Sequence, residues 1–157
     1  MTTTSGTITK AKLIPQTAIT IAVDTQYVAA QGGRNISQGI YMFDNQASAG
    51  SSGEGTLELI TVTVNGSLIG FEAVPINPNT GDTVLITGFT VSQTQDNVFG
   101  SQGYPMSQPQ PVPAGSYWIG QATSQGSQTY QIQIQITTGG IRPTTYFVNW
   151  DPHITAN

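Results

Sequence analysis

The chain has no cysteine, one histidine and only four basic residues among its 157. Without cysteine there is no disulfide framework, thiol nucleophile or thiolate zinc site, and folding does not depend on redox state. Lys10, Lys12, Arg34 and Arg142 are the whole basic complement, against eight acids. They form no cluster of the kind that releases counterions from nucleic acid or holds an anionic membrane surface. No stretch approaches the roughly 18 consecutive apolar residues of a helical membrane span. The opening MTTTSGTITKAKLIP lacks a charged region followed by an apolar one. No secretory signal is therefore expected, and the chain reads as a soluble cytoplasmic protein.

The scarcity of imidazole also restricts chemistry. A serine nucleophile needs a base, and His153 is the only imidazole, close to the C-terminus. No GxSxG turn accompanies it, and nothing in the order of the acids pairs two carboxylates for glycoside hydrolysis. GSSGEG (50–55) lacks the lysine and following helix of a phosphate loop and reads as a turn. The chain is read as a non-enzyme.

What is present is alternation with period two. TYQIQIQITT (129–138) puts Tyr130, Ile132, Ile134 and Ile136 on one face and Gln131, Gln133 and Gln135 on the other. That is a half-buried strand with a wet outer surface. TAITIAV (17–23), IYMFD (40–44), SLIGFEAV (67–74), TVLITGFTV (83–91), SYWIGQA (116–122) and TTYFVNW (144–150) read as further strands, with a bulge expected near Gly88. LELITVTV (57–64) changes the face of its apolar residues after Leu59, which suggests a bulge or a break. Pro152 should stop or bend the last strand, leaving HITAN as an edge piece or tail. No window carries the apolar spacing of an amphipathic helix.

About eight strands separated by Gly, Asn and Pro turns predict an all-β, single-domain antiparallel sandwich, jelly-roll or Ig-like, without substantial helix. Residues 1–16 read as a polar N-terminal arm and 17–157 as the sandwich domain. A long Pro/Gln-rich loop interrupts it at 92–115.

Two binding chemistries are compatible with this surface. A shallow glycan site uses an aromatic face beside amides and carboxylates, for which Trp118, Trp150, Tyr104 and Tyr117 are candidate platforms. Oxygens at strand ends (Asp24, Asp44, Asn45, Asp82, Asp96) are of the type calcium takes. The spaced pattern of a calcium loop is missing, so neither a bound metal nor a cofactor is expected. The uncharged QIQIQI strand suggests edge-to-edge self-association if it lies at a sheet margin.

Several segments, taken in order, carry a resemblance: ITIAVDTQYV (19–28), IYMFDNQ (40–46), GEGTLELITVTVNGSLIGF (53–71), PVPAGSYW (111–118), the YQIQIQIT strand and the closing FVNWDPHI. Their order resembles the AidA/PixA inclusion-body protein family of bacteria. The resemblance implies an abundant, self-associating cytoplasmic protein that forms inclusions or takes part in host interaction, with a lectin-like role considered. It carries over no catalytic residues and no cofactor. Members can be Met-rich, whereas this chain has three Met, which argues against a storage role. The expected function is a homo-oligomeric, lectin-like interaction protein binding glycan through strand-end loops; the alternative is a purely structural assembly protein without ligand. Asp24, Asp44, Asn45, Trp150 and Asp151 are the expected ligand-binding residues, gathered by pairing of the opening and closing strands.

Overall fold

The computed structural model describes residues 14–91 and 97–157. Most of the expected arm (1–13) and part of the Pro/Gln-rich loop (92–96) lie outside the described residues.

Among the described residues ten strands form two sheets. In the first, β2 (Ile40–Asp44), β1 (Thr17–Val23), β4 (Leu68–Pro75), β7 (Tyr117–Gln121) and β6 (Met106–Ser107) lie side by side in that order. In the second the order is β3 (Ile60–Thr63), β10 (His153–Ala156), β8 (Gly126–Thr137) and β5 (Thr83–Val91). β9 (Thr145–Trp150) also pairs with β8. The architecture is the all-β sandwich that the alternation indicates. Each sheet also holds one parallel pair, β1 with β4 and β3 with β10. Six residues after β1 form a helical turn, α1 (Thr25–Ala30), started by the Asp24 side chain accepting from Tyr27 N at 3.1 Å.

The alternating isoleucines decide what lies inside. Ile132, Ile134 and Ile136 of β8 are fully buried and face Ile19, Ile21, Ile69 and Phe71 of the first sheet. Phe71, Phe89, Phe99 and Tyr130 form an aromatic cluster, with ring centroids 4.8 Å apart for Phe71–Phe89 and 5.8 Å for Phe99–Tyr130. Trp118 tilts onto Phe89 at 5.3 Å and donates its Nε1–H to the carbonyls of Ile86 and Gly115. The register of β5 against β8 shifts between Ile86 and Gly88, which places the bulge.

Two local readings are corrected and one is refined. LELITVTV does break, with Leu57 and Glu58 in a turn before β3, but Leu59, Thr61 and Thr63 are the buried residues that follow, while Ile60 and Val64 are exposed. The core here accepts threonines, and the hydrophobic pattern misleads because two apolar side chains face solvent. HITA is not a tail or an edge. After a break at Asp151–Pro152, β10 runs between β3 and β8, with Ile154 and Ala156 buried. QIQIQI is not marginal either. β8 pairs with β5 on one side and with β9 and β10 on the other, so its backbone has no free edge there.

Loops cover the margins of β2, β3 and β5. Ile60 of β3 exchanges both backbone hydrogen bonds with Ser52, at 2.8 and 3.0 Å. Met42 of β2 does the same with Thr56 and Gly55. On β5, Ile86 N donates to Gly115 O at 2.9 Å and the Tyr104 hydroxyl donates to Phe89 O. Gly33, at φ +70°, lies so close to β9 that a Cβ would stand 2.9 Å from the Phe147 carbonyl oxygen.

One carboxylate ties three elements together. Asp82 accepts from Thr25 Oγ1 at the start of α1 (2.6 Å) and from Gly139 N in the β8–β9 turn (2.7 Å). Burial by itself would raise its pKa, but these bonds and that with Thr80 outweigh it and hold the carboxyl below its ordinary value. The stabilisation is therefore complete above the unfolded aspartate pKa of about 3.9 and is lost as pH falls through the lower folded value. Asp82→Asn should cost about 1–3 kcal/mol at pH 7 in urea unfolding. The gap to the parent chain should close as pH drops below about 4.

Four buried polar atoms have no hydrogen-bond partner among the described residues: Asp44 Oδ2, Thr61 Oγ1, Gln128 Nε2 and the Tyr130 hydroxyl. Thr61 and Gln128 flank Ile154 in register, and burial, with the Asp44 charge adding, pushes the Tyr130 pKa strongly up. An unpaired buried polar group costs about 1–3 kcal/mol. Tyr130→Phe and Thr61→Val should thus each hold or raise stability, by up to about 1 kcal/mol in urea unfolding. A loss of that size would show that the hydroxyl has a favourable partner.

Candidate functional site

The five residues expected to gather do not form an open site, because the opening and closing strands do not pair. β1 lies in the first sheet and β9 and β10 in the second. Asp44 stands opposite Ile19 near the start of β1, and Asp24 follows its end. The two aspartates are separated by roughly 16 Å along one strand, at about 3.3 Å per residue. Asp24 serves as the helix cap. Asn45 laces the end of β2 to β1 and the residue before it, accepting from Ala18 N at 2.9 Å and donating to Gln16 O at 3.1 Å. Asp151 accepts from Gln131 Nε2 at 3.3 Å on the outer side of the second sheet. Trp150 does reach β2, but from inside: it is 8% exposed and donates its Nε1–H to Met42 Sδ at 3.1 Å. It is a core residue and offers no platform to a sugar ring.

Asp44 has a different neighbour from those expected. Its Oδ1 accepts from Gln46 N at 2.8 Å, and its backbone N–H donates to Glu54 Oε2 at 3.0 Å. Burial and the adjacent Asp44 carboxylate raise the Glu54 pKa, against the backbone hydrogen bond, which lowers it. No group of three His, Asp or Glu side chains gathers among the described residues. His153, at the start of β10, has Nδ1 2.9 Å from Thr129 Oγ1.

A different place has the form of a site. On the outer face of the first sheet, Thr20, Glu72 and Tyr117 stand in one row across β1, β4 and β7, and Ala18, Gly70 and Ile119 in the next. Side chains directly opposite on one face have Cβ atoms about 5 Å apart. The Tyr117 hydroxyl leans across Gly70, where a Cβ would come within 2.6 Å of it. Gln110 and Pro111 form a wall, and the resulting groove measures about 480 Å³. That is within the usual range for small-molecule sites. Burial first, and the Glu72 charge second, raise the Tyr117 pKa, which places the carboxylate near the phenol. Beyond the Pro111 wall a second groove of about 280 Å³ includes both Glu72 and Asp82. Sequence reading named Tyr117 as an aromatic platform but missed Glu72, Gln110 and the groove itself. One signal was available: an isolated glycine inside a strand, Gly70, often marks a close approach.

The outer face of the second sheet is different in kind. Its rows read Thr83, Thr137, Thr145; then Leu85, Gln135, Phe147; then Gly88, Gln133, Asn149. β5, β8 and β9 contain no charged residue. Thr87 Oγ1 donates to Gln133 Oε1 at 3.0 Å, so part of the amide array is already fixed.

Comparison with known proteins agrees with this architecture. The crystal structure of the inclusion body protein PixA from Burkholderia cenocepacia J2315 superposes with a TM-score of 0.70 at 19% identity. The match covers 96% of this chain and all (100%) of that one. At that identity the likeness is one of fold. No curated protein matches the sequence. Residues 15–144 match the family described as a domain of unknown function, DUF8788. The chain belongs to the DUF8788 family, and its fold is the PixA-like β-sandwich.

Proposed function

We propose that the protein is a non-enzymatic assembly protein whose copies pack through the outer face of the second sheet, as homo-oligomers or larger inclusions in the cytoplasm. The observation that carries this reading is the uncharged Thr/Gln/Asn face of β5, β8 and β9, on which Phe147 is 55% exposed. Charges on a protein surface ordinarily keep copies apart. Apart from Asp151, which bonds Gln131 at one end of the face, two copies can meet here without burying an unpaired charge, and the amides and hydroxyls of one can bond those of the other. Strand addition is disfavoured as the mode of contact, because loops cover the margins of β2, β3 and β5. The PixA-like fold and the AidA/PixA resemblance in segment order support the same reading. A non-enzymatic role is supported by the single imidazole, bonded to a threonine, and by aspartates occupied with caps and turns. The reading needs no cofactor.

The finer expectation, a lectin-like role, is compatible with assembly, because many weak sites on one particle bind with avidity. It has lost the strand-end cluster that was to be its seat.

Analytical ultracentrifugation over rising concentration tests the proposal. The parent chain should self-associate, with little change between 0.05 and 0.5 M NaCl, roughly, since no ion pairs are involved. Gln133→Lys combined with Asn149→Lys puts like charges at the centre of the face and should shift the equilibrium towards monomer by about tenfold or more. Tyr41→Lys, on the outer face of the other sheet, should not. A parent chain that stays monomeric at high concentration would sink the assembly reading. A saturable hit on a glycan array by such a monomer would replace it with recognition.

A further inference from the structure

The groove on the first sheet lies on the opposite side of the sandwich from the proposed packing face, and its chemistry asks for a ligand. Four polar side chains border it: the Glu72 carboxylate, the Tyr117 and Thr20 hydroxyls and the Gln110 amide. None of the four makes a side-chain hydrogen bond or ion pair with a described residue. The floor is small and largely apolar, made by Ala18, Ile19 and Gly70. Spare polar groups converging on such a floor are the usual composition of a small-ligand site.

Charge selects the ligand class. Among the described residues no lysine, arginine or histidine borders this groove or the adjoining one, whereas Glu72 borders both and Asp82 the second. An anion would meet negative charge there. A cation would neutralise a half-buried carboxylate that has no partner among the described residues. Glu72, Tyr117 and Gln110 also offer three acceptors: a carboxylate oxygen, the phenol oxygen and the amide oxygen. A primary ammonium has three N–H donors and no acceptor. A guanidinium is planar and forked, and would pair with a carboxylate alone. The Tyr117 hydroxyl and Pro15 cover Gly70, so the floor left open runs along Ala18, whose small side chain suits an unbranched methylene stem.

We propose that the groove between Glu72, Tyr117 and Gln110 binds a primary ammonium group carried on a slender apolar chain. Glu72 supplies the charge-assisted bond, Tyr117 and Gln110 fill the remaining donor directions, and Ala18 receives the stem. Two sources share this chemistry, a free aliphatic amine and a lysine side chain of another protein.

NMR titration of the intact, isotopically labelled protein tests the assignment. The probes are 1,5-diaminopentane, Nα-acetyl-lysine methylamide, and 1,5-pentanediol as the uncharged counterpart. Saturable shifts are expected at the amides of Ala18, Thr20, Gly70 and Glu72 with either amine, and the relative affinities identify the source. The diol should leave them in place. Glu72→Gln should weaken amine binding by about tenfold or more, since a charge-assisted bond becomes a neutral one. Tyr117→Phe should weaken it by a smaller factor and provides a second variant should the first unfold. Equal binding by the Glu72→Gln protein, equal binding of the diol or of a methyl glycoside, or the absence of shifts at these amides would each overturn the proposal.

Discussion

The second sheet hangs on the hydrogen-bonding capacity of one strand. β8 is twelve residues long, longer than any of its partners. It spends one side of its backbone on β5 and divides the other between β10 at its start and β9 along its remainder. The last segments of the chain are thereby locked into the sheet, although Pro152 interrupts them. Without a strand of this length, β10 would have only β3 beside it. The inward isoleucines of the same strand then fill the space facing the first sheet, so one stretch of sequence provides both the ladder and the core.

Closing the margins follows from the same accounting of backbone groups. A sandwich leaves edges, and an unguarded edge recruits other chains. Proteins with more charge can place lysines there. This chain has almost none to place, and it covers edges with loops: Ser52 against β3, Gly55 and Thr56 against β2, Gly115 against β5. Apart from the outer margins of β6 and β9, the broad faces are what remain for contact. They differ in a way composition cannot express. One is an uncharged field of Thr, Gln and Asn. The other holds a carboxylate, a phenol and an amide around a groove. Assembly and recognition can therefore occupy opposite sides of one domain without competing.

Where the sequence was legible, the reason was strict alternation with one wet face. β8 is the clear example, since its Gln and Ile positions could not exchange faces without exposing the core. Where it misled, burial and polarity had separated. Thr61 and Thr63 lie inside while Ile60 and Val64 lie outside, and apolar patterning reads that strand backwards. HITA carries too few residues to announce a central strand, and its place depends on partners 24 or more positions away. The candidate site failed for a related reason. Asp24, Asp44, Asn45 and Asp151 were rightly seen at strand ends, but strand ends point to both ends of a sandwich and belong to both sheets.

By itself, the sequence determined the class of the protein. Period-two alternation, abundant turn residues and the absence of helical spacing leave a β-sandwich. The lack of Cys removes thiol chemistry, and the scarcity of Lys, Arg and His sets the expectation of neither a basic nucleic-acid surface nor imidazole catalysis. These conclusions need only local periodicity and the chemistry of side chains counted one at a time. The tertiary structure decided which strands are neighbours, and neighbours make sites. Only the register of β1, β4 and β7 sets Glu72 beside Tyr117 and both over Gly70, from positions far apart in the chain. Pairing in a sheet is chosen by the packing of the whole core, and no short stretch of sequence contains that information.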